Sequence, residues 1–154
     1  MFHHHHKHPE PMKTMLTFCL AGVLILCSFT VQKSPDIQGA WKLVATKYID
    51  GNKEVVTSMA DLNQWKMWTN DHFAFMGAYK SGKKVRDNYG AGTYTLNGNL
   101  YNETITYHVA KNLIGETIRM VIEIKGDTLI QTWPVDENGN VNRLSYVEEK
   151  YVKL

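Results

Sequence analysis

Glu103 stands in the segment Tyr101-Asn102-Glu103-Thr104-Ile105-Thr106-Tyr107-His108, where polar and apolar residues alternate. Alternation at period two places Tyr101, Glu103, Ile105 and Tyr107 on one face of a strand. Asn102, Thr104, Thr106 and His108 take the other face, which is polar enough to meet water. Glu103 is therefore expected to point inward among two tyrosines and an isoleucine. An inward carboxylate needs a cationic or hydrogen-bonding partner, because burying an unpaired charge is costly. Its chemistry could be a contact to a bound molecule, general acid or base work with Tyr94 or Tyr101 orienting the substrate, or a structural ion pair.

The partner depends on strand register. One register of the following strand sets Arg119 opposite Ile105 and diagonal to Glu103. A slip of one residue turns Arg119 outward and sends Ile118, Met120, Ile122 and Ile124 inward. The second face is the more apolar and suits a filled interior, leaving Glu103 to Tyr94, a lysine or water. Phe73, Phe75 and Trp133, with Trp65 and Met67, add aromatic and soft surface on neighbouring segments. Such a lining either holds a small apolar or amphipathic molecule or simply fills the interior. Four tryptophans and eight tyrosines could also offer a stacking surface for sugars.

Other chemistries find little support. Beyond the histidine-rich start only His72 and His108 remain, too few and too isolated for a metal site of three or four ligands. Both cysteines, Cys19 and Cys27, lie in one apolar segment near the start. Gly90-Ala91-Gly92 precedes a strand rather than a helix, so it is no nucleotide loop, and no nucleophile elbow is present. No catalytic constellation, metal or cofactor is expected. Lys80, Lys83, Lys84 and Arg86 cluster around Gly82 and read as a solvated loop. Outside Lys7, Glu10, Lys13 and Lys33 the acidic and basic residues are equal in number. That balance gives no electrostatic footprint for nucleic acid or anionic lipid.

The elements that would position these residues are short strands. Turn signals recur every eight to twelve residues or so, the spacing of an all-β sandwich or barrel. The expected strands are Ala40–Ile49, Glu54–Thr57, Gln64–Thr69, His72–Tyr79, Gly92–Leu96, Leu100–His108, Gly115–Ile124, Thr128–Trp133 and Leu144–Leu154. Tight turns are expected at Asp50-Gly51-Asn52, Asn97-Gly98 and Lys125-Gly126-Asp127. Ser58–Asn63 is the one candidate helical turn, capped by Ser58, and Tyr79–Tyr89 reads as a loop. Eight or nine strands joined up-and-down close most economically into a single antiparallel β-barrel, which removes the sheet edges.

The barrel is expected to occupy residues 34–154. Lys13 followed by the uncharged, mostly apolar run Met15–Val31 has the layout of a secretory signal over residues 12–33. That run sits at the lower edge of the roughly 17–25 residues that span a bilayer, so an uncleaved anchor is the competing reading. Leu26 before Cys27 disfavours lipidation, although Ser28 after it would suit a lipoprotein. Membrane association is expected only if the segment is lipidated or retained. Residues 1–11, with His3 to His6, read as an upstream extension. These features place the folded part outside the cytoplasm, in the periplasm, the cell envelope or the medium.

Three passages resemble the lipocalin-like (calycin) barrels secreted by Bacteroides-type bacteria. Gly39-Ala40-Trp41-Lys42-Leu43-Val44 is similar to the lipocalin opening. Gly90-Ala91-Gly92-Thr93-Tyr94-Thr95-Leu96, with Tyr101-Asn102-Glu103, is similar to the Gly-Thr-Tyr and Tyr-x-Glu signature of the group, and Glu149-Lys150-Tyr151-Val152-Lys153 to its last strand. The resemblance implies an eight- or nine-stranded barrel with Trp41 plugging its closed end. It also implies a basic residue packed over that tryptophan. Lys153 stands there where an arginine is usual, and is the weaker stacking partner. Ligand contacts would then lie at the opposite end, among Phe73, Phe75, Tyr94, Tyr101, Glu103 and Trp133. A filled, ligand-free accessory domain of the envelope is the third reading beside binder and enzyme.

Overall fold

A computed structural model describes residues 33–57, 62–81 and 83–154. The upstream extension and the expected signal, except its last residue Lys33, therefore lie outside the described residues, as do residues 58–61 of the expected helical turn. Leu62 and Asn63, its last two residues, belong to a strand instead.

Among the described residues, nine strands form one antiparallel sheet: β1 Gly39–Asp50, β2 Lys53–Thr57, β3 Leu62–Trp68, β4 His72–Ser81, β5 Lys84–Asn97, β6 Leu100–His108, β7 Thr117–Lys125, β8 Thr128–Trp133 and β9 Ser145–Lys153. Neighbours follow chain order from β3 to β9, and β9 returns to pair with β1. Eight strands thus close into a barrel, with β2 as the extra strand. The first half of β1, Gly39 to Lys42, pairs with β3, and its second half, Thr46 to Asp50, with β2. Closure leaves no free edge around the barrel wall itself.

Three two-residue turns share one construction. Asp50 pairs with Lys53, Asn97 with Leu100 and Lys125 with Thr128. The loops are thus Gly51-Asn52, Gly98-Asn99 and Gly126-Asp127. Each glycine has φ near +60°, in the first loop position, where a hairpin turn demands a left-handed residue. The central turn is one residue later than the Asn97-Gly98 pair expected from sequence.

The expected loop at Tyr79–Tyr89 is a paired ribbon: β4 continues to Ser81, and β5 begins at Lys84, with Tyr79 opposite Arg86. Residues 83–87 are exposed on both faces, so nothing selects for alternation, and a strand without a buried face carries no period-two signal.

The barrel's base lies where β1 begins and β9 ends. Ile37 is buried just before β1, and its carbonyl accepts the Trp41 indole N–H at 2.9 Å. Trp41, 2% exposed, meets Trp68 edge-to-face with centroids 6.5 Å apart. The Lys153 ammonium lies 5.4 Å above the Trp41 ring. Leu43, Phe73, Tyr101, Ile122, Leu129 and Tyr151 complete this packed base.

Candidate functional site

Above the packed base the interior turns polar. Pairing sets Gln64 opposite Gly77, Lys66 opposite Phe75 and Trp68 opposite Phe73, and all of these face inward. Lys66 forms an ion pair with Glu103, both side chains being 3% exposed. Its ammonium also donates to Gln131 Oε1 at 3.2 Å. The rings of Trp68, Phe73, Phe75 and Tyr101 surround it, with centroids 5.0, 5.2, 5.8 and 5.8 Å away. An ammonium held this way gains from the negative ring faces as well as from the carboxylate.

Glu103 receives further support on the same oxygen. Tyr101 Oη donates to Glu103 Oε1 at 2.8 Å and accepts the Trp68 indole N–H at 2.7 Å. Burial, then the Glu103 charge, holds the Tyr101 phenol far above its ordinary range. Among the described residues, nothing donates to Glu103 Oε2. On the far side, Tyr151 Oη donates to Glu149 and accepts from Gln64 Nε2 at 3.2 Å. Asn88 Nδ2 in turn donates to Gln64 Oε1 at 2.6 Å. Burial pushes the Glu149 carboxyl above its ordinary value, against the opposing pull of Lys66 and of its hydrogen bond from Tyr151.

This polar layer is the floor of a cavity of about 180 Å³. Gln64, Lys66, Glu103, Glu149 and Tyr151 line its lower part, and Asn88 and His108 also reach it. Phe75, Ile105, Leu113, Ile118, Met120 and Trp133 supply the apolar walls. The cavity faces the end opposite Trp41, where the β6–β7 connection carries a short 3-10 helix at Lys111–Leu113.

Some sequence expectations hold at this site and others change. Glu103 faces inward, and of the expected partners Tyr94, a lysine or water it takes a lysine, Lys66. Met120 stands opposite Tyr101 and Ile118 opposite Glu103, so Ile118, Met120, Ile122 and Ile124 face inward and Arg119 outward. Phe73 is buried in the base beneath the cup, while Phe75 and Trp133 line the cup. Tyr94 is half-buried at the lower rim, where its hydroxyl donates to the Thr69 carbonyl at 2.6 Å and its ring tilts against Tyr101. Neither Tyr94 nor Tyr101 reaches the cup.

Trp65 and Met67 were expected to line the interior and instead face outward, Trp65 being 48% exposed. The inward face of β3 is Gln64-Lys66-Trp68. A lysine on the buried face inverts the usual sorting of charge to the surface, so apolarity selects the wrong set. Tyr107 was expected inward and His108 outward, and the two are exchanged. Ile105 pairs with Gly92 and Tyr107 with Ala91, leaving Thr106 as an extra residue. Such a bulge reverses the faces beyond it. Tyr107 is 67% exposed, and His108 packs edge-on to Phe75 at 5.7 Å in the cup.

The glycines at this bend explain the Gly90-Ala91-Gly92 passage physically. A Cβ on Gly92 would lie 2.0 Å from the Thr104 carbonyl oxygen. One on Gly90 would lie 2.6 Å from the Phe75 ring and 2.9 Å from His108. Both positions let neighbours approach where a side chain would not fit.

An eight-stranded up-and-down antiparallel barrel with a plugged base and an interior cup is lipocalin-like in fold. The chain is similar to a solved structure, a lipocalin-like protein from Bacteroides uniformis. It is 15% identical over 78% of this chain and 100% of that one, with a TM-score of 0.46. No protein-family model and no curated protein matches the chain.

Proposed function

We propose that this protein is an extracytoplasmic binder that takes a small, partly apolar molecule into the cup of its barrel. The cup itself carries the reading: a cavity of about 180 Å³ with apolar walls and a floor of placed polar groups. A ligand site typically has that division, apolar area for affinity and a few polar atoms for orientation. A barrel serving only as filler would continue its apolar packing to the rim. The location outside the cytoplasm rests on the signal-like segment at residues 12–33.

The test is native mass spectrometry of the protein purified from its host, joined to a thermal-shift screen of small apolar and amphipathic molecules. A retained molecule, or a saturable shift that Ile118→Trp abolishes by filling the cup, supports the reading. A protein that carries nothing, and whose response to every compound is indifferent to Ile118→Trp, contradicts it. Cell fractionation with N-terminal sequencing tests the location. A cytoplasmic protein that keeps residues 12–33 refutes that part.

A further inference from the structure

The charges around the cup do not cancel, and the imbalance defines what it should hold. Lys66, the cation in the cavity wall, is committed to Glu103, to Gln131 and to four surrounding rings. Its direct ion pair is with Glu103, a partner as deeply buried as itself, and it acts on Glu149 only through space. Glu149 then remains as a second carboxylate, directly opposite Gln131 across the β8–β9 pairing. One Glu149 oxygen accepts from Tyr151. The other accepts from none of the described residues, and the same is true of Glu103 Oε2. Two carboxylates, each with an oxygen that accepts from none of the described residues, therefore line the same small space.

His108 does not fill the role of a counter-ion. Its Nδ1 accepts the Ala110 backbone N–H at 2.9 Å, which leaves the ring proton on Nε2. Phe75 and Trp133 meanwhile present aromatic surface to the same cavity. Aromatic faces beside an unpaired carboxylate suit a cation more than a neutral or anionic guest.

We propose that the cup recognises a small organic cation, an ammonium group on a short aromatic or aliphatic tail, with Glu149 as its counter-ion and the tail against Phe75, Trp133 and Ile118. This inference rests on the ligand-cup reading and adds the chemical class of the ligand. Size limits the class. A cavity of about 150 Å³ accommodates benzene, so a single ring with a short amine arm matches the 180 Å³ available here.

The experiment is calorimetric titration of the full-chain protein with benzylamine, benzyl alcohol and phenylacetate, which share a ring and differ in charge. Benzylamine should bind at least about tenfold more tightly than benzyl alcohol, the scale of one charge-assisted hydrogen bond. Glu149→Gln should erase that preference while leaving benzyl alcohol binding in place, with circular dichroism confirming the fold.

A pH series on the unsubstituted protein gives an independent readout. Benzylamine affinity should fall as Glu149 is protonated, while benzyl alcohol affinity stays level. The other titratable groups facing Glu149 are Lys66, Glu103, Tyr151 and His108, and the step should persist in His108→Gln. Equal binding of amine and alcohol, tighter binding of phenylacetate, or a flat pH series overturns the cation inference and leaves the cup reading standing. Failure of all three compounds to bind overturns the cation inference, and the cup reading falls with it only if the natively purified protein also carries nothing.

Discussion

Replacing Lys66 by methionine should strand the Glu103 carboxylate in the barrel interior, and the cost can be bounded from the geometry. Both side chains are 3% exposed, so bulk water screens the pair little. Glu103 would keep one hydrogen bond, from Tyr101. Removing one partner of such a buried pair costs about 3–5 kcal/mol, a large part of the roughly 5–15 kcal/mol that holds a domain folded. The double variant Lys66→Met/Glu103→Leu removes the stranded charge as well. It leaves Gln131 Oε1 and the Tyr101 hydroxyl each short of one partner, at about 1 kcal/mol apiece. The double variant should therefore cost about 2 kcal/mol and be more stable than Lys66→Met alone. Urea denaturation of the wild type, both single variants and the double variant measures the full cycle. A Lys66→Met cost below about 1 kcal/mol, or a double variant that costs the sum of the singles, would refute the reasoning. Either result means that the two groups do not share a dry environment.

The remaining predictions follow from other contacts. Burial raises the Glu149 carboxyl above its ordinary 4.5, so the folded state binds that proton more tightly than the unfolded chain. Its contribution to stability is fully present below about 4.5 and is lost as pH rises through the folded value; Glu149→Gln should flatten that slope in melts across a pH series. Gly92→Ala places a methyl against the Thr104 carbonyl oxygen and should cost about 1–3 kcal/mol by denaturation. Gly90→Ala meets the movable Phe75 and His108 rings instead, so it should cost less stability but weaken binding in the cup. Trp41→Ala should destabilise by about 3–5 kcal/mol, and Lys153→Ala by about 0.5–1 kcal/mol; with Trp41 already gone, Lys153→Ala should add almost nothing.

The barrel was legible because its wall obeys simple rules. Strands such as Leu100–His108 and Thr128–Trp133 have one buried face and glycine-bearing turns, and alternation locates them to the residue. The inward position of Glu103 followed from the same rule. What escaped were places where the interior breaks the rule that charge stays outside. Lys66 sits between Trp65 and Met67, and apolarity alone turns that strand inside out. The need of an inward Glu103 for a cation was the one available signal for Lys66, but it does not choose among lysines without the cross-barrel geometry. The extra residue Thr106 has no signature in its own strand, so the exchange of Tyr107 and His108 was invisible. The ribbon at residues 79–89 lacked a buried face and hence any period.

The four tryptophans report separately on the regions that matter. Trp133 lines the cup, Trp41 and Trp68 pack the base, and Trp65 stands on the outer wall. The most direct measurement is to follow their indole N–H resonances while adding benzylamine and, separately, benzyl alcohol. Binding in the cup predicts a saturable shift of the Trp133 signal with the Trp41 and Trp65 signals unmoved. A shift confined to Trp65, or no shift of Trp133 at saturating concentrations, would contradict a ligand site inside the barrel.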